Sequence, residues 1–334
     1  MSQHKTLSKA LAVAAVTALT LSACGSSEID QQTNANVSQS ESQKVSTGGT
    51  CGDLNLAVNP WVGFEADAYV VGTLAADKLG CNVQYKDLKE EVSWQGFSNN
   101  EVDVVMEDWG HPDLEQQYFA KSGDGSAEPL GPTGNIGIIG WYVPPWMADK
   151  YPDITNWKNL NKYASLFETP ESDGKGQFLG SDPSYVQFDE SIVSNLGLNF
   201  KVVFSGSEAA SIAAFRKAEQ NKEPLIGYFY EPQWFMSEVP LVKVNLPDFT
   251  EGCQDVAADV SCDYPKTVLQ KVVSTDWAKS GDTSVDLVKN FKWTNTDQNL
   301  VAKYIAEDGM KPEDAAAKWI KENPDKVAAW MPQG

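Results

Sequence analysis

The chain has 334 residues, enough for two medium domains around a sizeable core, and a formal net charge of −20. That charge excludes a nucleic-acid partner, because phosphate contacts require a basic footprint. It describes an acidic, soluble surface and by itself assigns no fold.

The first segment is a targeting signal. Lys5 and Lys9 precede the apolar run "ALAVAAVTALTLSA", which is too short to cross a bilayer comfortably and reads as a signal peptide over residues 1–23. It closes in "LSAC", and small residues ahead of a cysteine resemble the lipobox of bacterial lipoproteins. The resemblance implies cleavage before Cys24, which then carries lipid at the new N-terminus. Residues 24–50 are mostly Ser, Gln, Asn, Gly and Glu, cannot bury apolar area, and read as a flexible tether.

Beyond the tether, strands and helices alternate. "DLNLAVN" alternates in hydrophobicity and predicts a strand, and 64–80 a helix that stops at Gly80. "NVQYKDL" predicts a second strand, a short helix lies near "SWQGFSNN", and "VDVVMED" is a third strand. Pro112 opens the next helix. "SGDGSAEPLGPTG" reads as a loop, after which "NIGIIGWYVPPWM" starts afresh. Strands in "GQFLGSD", "KVVFSG" and "LIGYFYEP" then alternate with helices near 185–196 and 207–222, and "LVKVNLP" leads back out. A cysteine-bearing loop and three helices end the chain. This order predicts an α/β fold with parallel sheets in two lobes. Lobe 1 is 51–137 completed by 246–334, lobe 2 is the inserted 138–245, and the ligand cleft lies between them.

Cys51, Cys81, Cys253 and Cys262 remain after the signal, an even number in an exported chain, which points to disulfides. Cys51 and Cys81 each precede a predicted strand, so parallel neighbours would bring them together. Cys253 and Cys262 share one loop and would close it. No C-x-x-C pair is present to favour zinc.

Several chemistries are missing. His4 lies in the signal, leaving His111 as the one histidine of the exported chain. There is no G-x-S-x-G elbow, no P-loop and no G-x-G-x-x-G after a strand, so we expect no enzyme and no cofactor. Glu107, Asp108, His111 and Asp113 are compact in sequence, but alternate residues at a strand end face opposite ways. They read as acids and an imidazole on a wet loop, not as a metal site. Arg216, the single arginine, lies in mid-helix, leaving none to clamp an anion in a cleft.

Aromatic residues, by contrast, gather at predicted strand ends: Trp61, Trp109, Trp141 with Tyr142, Tyr185, and Tyr228 with Tyr230. Electron-rich ring faces suit an alkylated ammonium, which cannot donate strong hydrogen bonds, at about 0.5–2 kcal/mol per contact. Glu65, Asp67, Glu107 and Asp108 stand nearby as sources of negative potential. Most of the eleven tryptophans read as packing residues, and composition alone leaves a sugar or an aromatic ligand open.

Taken in order, "LNLAVNPWVG", "SWQGFSNNEVDVVMEDWGHP", "GWYVPPWMADKYPDI", "GSDPSY" and "YEPQW" resemble the glycine betaine/choline-type substrate-binding lipoproteins of ABC importers. The resemblance covers almost all of 51–250. It implies a type II periplasmic-binding-protein fold and an aromatic cage of Trp61, Trp109, one of Trp141 and Tyr142, and Tyr230, where many relatives have Trp. Ser184 and Tyr185 would hold the ligand's polar end. Choline binders often place an acid two residues after the first cage tryptophan; Gly63 stands there, which tilts the expectation toward a betaine. Further implications are a monomer, lipid-anchored outside the cell membrane, an ABC permease as partner, and a role in osmoprotection. The rival expectations are another cleft ligand such as a sugar or ectoine, and a ligand sensor without transport.

Overall fold

The computed structural model describes residues 51–185 and 187–332. The predicted signal peptide, residues 1–23, and the tether, with the lipidation candidate Cys24, lie outside the described residues. Nine strands form the sheet: β1 (Asp53–Val58), β2 (Asn82–Asp87), β3 (Val104–Asp108), β4 (Ala127–Val143), β5 (Gly176–Gly180), β6 (Phe200–Phe204), β7 (Gly227–Glu231), β8 (Val242–Lys243) and β9 (Lys266–Ser274). Their order is β2-β1-β3-β9-β4-β7-β5-β6, with β8 beside β4.

The two ends of this sheet are the parallel units expected from the strand–helix alternation. β1 lies parallel between β2 and β3, and β5 lies parallel between β6 and β7. The middle differs from expectation. The segment read as a loop before Asn135 belongs to β4, one strand of 17 residues, and β9 falls where only loop and helix were expected. β4 pairs antiparallel with β9 from Ala127 to Ile138, then with β7 from Ile138 to Tyr142. Ile138 is therefore the residue at which the chain passes from one half of the sheet to the other. Five helices rather than three follow β9: Thr275–Ala278, Thr283–Asn290, Asn295–Ala306, Pro312–Glu322 and Pro324–Trp330.

Burial explains the local choices. All five residues of β3 are buried, as expected of a strand covered on both faces of a parallel sheet. The helix Val62–Leu74 is apolar nearly all round because it packs against the helices Asn295–Ala306 and Pro312–Glu322 as well as the sheet. Trp319 and Trp330 stack at 5.6 Å and Trp293 meets Trp319 edge-on at 5.5 Å, so these three tryptophans are packing residues. Cys51 is bonded to Cys81 and Cys253 to Cys262. The first bond ties the starts of β1 and β2, where Asp53 pairs with Asn82. Among the described residues no helix is long and apolar enough to cross a membrane.

Candidate ligand-binding site

The carboxyl ends of β1 and β3 carry Trp61 and Trp109, and the facing half brings Tyr185 from the turn after β5 and Tyr228 and Tyr230 from β7. These five rings, with Glu90, His111 and Ile139, line one cavity of about 340 Å³ including its open mouth. The rings meet edge to face across the two halves: Trp61 with Tyr185 at 5.4 Å, and Trp109 with Tyr230 at 5.6 Å. Edge-to-face contact is a favoured aromatic geometry, and each ring is thereby braced by a ring from the opposite half.

Glu107 holds the two tryptophans. Its Oε2 accepts the Trp61 indole N–H at 2.7 Å and the Trp109 indole N–H at 3.3 Å, while Oε1 accepts from Gln298. Gln298 in turn accepts from Asn135, so a buried amide chain supports the carboxylate. Behind it, burial and then the Glu107 charge push the Asp67 carboxyl well above its ordinary range. Two glycines make the arrangement possible. A Cβ on Gly63 would lie 2.4 Å from Gln298 Nε2, and a Cβ on Gly137 2.5 Å from Trp109 Cζ3.

On the facing half, Glu208 accepts from the Tyr230 hydroxyl and from Gln233 Nε2 at 2.7 Å, and its other oxygen accepts the Val62 N–H at 2.9 Å across the cleft. Burial raises the Glu208 pKa, and these three hydrogen bonds oppose that rise. The Tyr185 hydroxyl donates to Pro60 O at 2.9 Å, a second bond between the halves.

The acids and imidazole of "VVMEDWGHP" are not on a wet loop. Glu107 is 1%, Asp108 2% and His111 6% exposed. His111 Nδ1 lies 3.0 Å from Asp108 Oδ1, and Nε2 lies 3.3 Å from Glu90 Oε1. Burial works against the imidazolium, but the charges of Glu90, Asp108 and Asp113 and the Asp108 hydrogen bond outweigh it and push His111 up to about 9. The only compact cluster of metal-type ligands among the described residues is Cys51, Cys81 and Asp282. Its two sulfurs are already joined to each other.

Neither Trp141 nor Tyr142 lines the cavity; β4 supplies Ile139 there instead. Trp141 shares the face of Ile139, being two residues on, but Asp189 covers it. The indole N–H donates to Asp189 Oδ1 at 2.7 Å, and the ring lies 4.4 Å from Phe178. Burial pushes Asp189 up to about 7, against the hydrogen bonds from Trp141 and Tyr264. Tyr142 points to the opposite face, against Phe229. Ser184 lies on the wider cleft outside the cavity, its N–H turned back to Asp182 Oδ1 at 2.8 Å. Glu90, His111 and Tyr228 were not assigned to the ligand in advance. Tyr228 was findable, since period two places it on the face of Tyr230; Glu90 had only its position after the second strand.

The family model "Substrate binding domain of ABC-type glycine betaine transport system" matches residues 52–322. This chain belongs to that family. Its members are substrate-binding transport proteins of the extracytoplasmic side, not enzymes. The trimethylamine N-oxide-binding protein of Pelagibacter ubique (strain HTCC1062) is 26% identical to this chain over 293 residues, covering 81% of this chain and 87% of that protein. The glycine betaine/carnitine transport binding protein GbuC of Listeria monocytogenes is 30% identical over 126 residues, 38% of each chain. The fold is that of lactococcal OpuAC in its closed form with glycine betaine, at TM-score 0.66 and 21% identity over 84% of this chain and all of that one. An ABC-transporter choline-binding protein in complex with choline gives 0.67 at 20% identity over 84% of this chain and 91% of that one.

Proposed function

We propose that this family member captures a quaternary ammonium compound between Trp61, Trp109, Tyr185, Tyr228 and Tyr230 and delivers it to an ABC permease, as a monomer, for uptake in osmoprotection. The observation that carries this reading is the pair of indoles hydrogen-bonded to one carboxylate oxygen, with tyrosines from the facing half opposite them. Ring faces attract a desolvated cation, and a buried carboxylate behind the rings deepens the potential. The lipobox supports lipidation at Cys24 and anchorage outside the cell membrane. The lobes of this reading are 51–137 with 246–334, and 138–245. They close about 138–140 and 244–247, with the change of partner at Ile138 supporting the first hinge. Ser184 would meet the ligand from the cleft side. The relative that binds trimethylamine N-oxide supports a second reading, in which an N-oxide occupies the same rings.

Titration calorimetry with tetramethylammonium, choline, glycine betaine, carnitine, trimethylamine N-oxide, maltose and ectoine tests the proposal. Binding of the methylated ammonium compounds, abolished by Trp109→Ala, is the expected result. Binding of maltose or ectoine alone would replace it with another cleft ligand.

A further inference from the structure

Five aromatic rings and Ile139 form most of the cavity, and the ionisable carboxyl on its wall is Glu90, backed by His111. Glu90 is the first residue of the helix Glu90–Ser98, which follows β2 directly, and its side chain is buried. No lysine or arginine lines the cavity. His111 would be the one cationic group there, and both of its ring nitrogens are within reach of carboxylates, Asp108 on one side and Glu90 on the other. Such a wall presents acceptor oxygens to the ligand. A carboxylate has about four lone-pair positions and can accept from more than one donor at once.

An acceptor wall discriminates between ligands with the same methylated head. A hydroxyl donates to a carboxylate in a charge-assisted hydrogen bond. A ligand carboxylate brought to the same place meets a like charge. The oxygen of an N-oxide is likewise an acceptor. Position 63, two residues beyond Trp61, is glycine and supplies no acid, and the Gln298 amide stands where its side chain would begin. Glu90 approaches the same cavity from a different element.

Resting on the reading of the cavity as a quaternary ammonium site, we propose that Glu90 is the specificity-determining residue and that it selects a hydroxyl-bearing cation, an amino alcohol of the choline class, over a betaine. His111 is its positioning residue, holding the Glu90 carboxylate at the wall. This reverses the betaine expectation drawn from Gly63.

Calorimetry on the exported chain tests it with three probes. Tetramethylammonium reports the rings alone, choline adds a hydroxyl, and glycine betaine adds a carboxylate. The wild-type protein is expected to bind choline at least tenfold more tightly than glycine betaine and more tightly than tetramethylammonium. Glu90→Gln is expected to cut the choline-to-tetramethylammonium affinity ratio about tenfold and to narrow or reverse the gap to glycine betaine. A wild-type preference for glycine betaine overturns the inference and leaves the aromatic site standing, as does a choline-to-tetramethylammonium ratio unchanged in Glu90→Gln. Should that variant fail to fold, the wild-type ranking of the three probes still decides. Failure of all three to bind wild-type protein overturns the aromatic-site reading itself.

Discussion

Replacing Glu107 with Gln removes one negative charge from beneath two tryptophans while keeping the shape of the side chain. The new amide can keep its oxygen on the two indole N–H groups if its NH2 faces Gln298. Gln298 then turns its oxygen toward that NH2 and its own NH2 toward Asn135, and Asn135 turns in the same sense toward Thr133. Thr133 Oγ1 already lies 3.4 Å from Leu269 O, which ends the relay. The fold should therefore survive. Two indole bonds change from charge-assisted to neutral, a loss of about 1 kcal/mol each. A bound cation roughly 7 Å away loses about 2 kcal/mol of attraction at an effective dielectric of about 20. Part of the first loss falls on the free protein, so the affinity for tetramethylammonium should drop about 10–30-fold, and the melting temperature by a few degrees. Glu107→Leu strands the buried Trp61 indole N–H at about 1–3 kcal/mol and removes the acceptor of the part-buried Trp109 N–H, and should lower the melting temperature further. Calorimetry paired with thermal unfolding measures both. Tetramethylammonium binding within twofold of wild type in Glu107→Gln would refute the idea that this carboxylate arranges and charges the site.

Gly137→Ala places a Cβ 2.5 Å from the Trp109 ring; it should weaken cation binding tenfold or more, and unchanged calorimetric affinity would show that Trp109 does not need this close approach. Tyr185→Phe keeps the ring and deletes the bond to Pro60 O; an affinity loss of about fivefold, on the order of 1 kcal/mol, is expected, and none would mean that this bond does not assist closure. Lys271 is buried with its Nζ donating to Lys289 O and Phe291 O, and burial, aided by Lys292, lowers its pKa to about 7. Its folded value lies below the unfolded one, so it adds stability as pH rises from about 7 toward 10.5. His111, with a folded value of about 9 above an unfolded 6.5, contributes stability below 6.5 and loses it as pH rises through 9. Lys271→Met should therefore show melting temperatures that fall more steeply than wild type between pH 7 and 9, and parallel profiles would contradict the opposed pair. Removing the Cys51–Cys81 bond opens a span of 30 residues, which the chain-entropy estimate values at about 3.5 kcal/mol; the double serine variant should unfold at lower denaturant, with ligand affinity little changed because the bond ties the strand starts, away from the cavity.

Much of the site was legible from local pattern. Trp61, Trp109, Tyr185 and Tyr230 each follow or end a recognisable strand, and strand ends of parallel units meet at one edge of such sheets. Trp141 shows the limit of that logic. Period two correctly places it on the face of Ile139, yet periodicity carries no information on what lies above a face. The helix Asp189–Asn195, 48 residues downstream, sets Asp189 over the indole. The acids that end β3 failed for the complementary reason. Their charge suggested solvent, whereas tertiary burial paired Glu107 with two indoles and His111 with two carboxylates.

The amino-acid sequence alone determined the acidic character, the two parallel strand–helix units, the four cysteines available to pair, and the ring types at the strand ends. Each of these depends on neighbours a few residues apart or on composition. The tertiary structure decided the rest. It joined the halves through β4 and β9, whose pairing spans well over a hundred residues and has no local signature. It brought Glu90 to His111, Glu107 beneath both tryptophans, and Gln298 into the space at Gly63, because a side chain's partners are set by the packing of distant elements, not by its place in the chain.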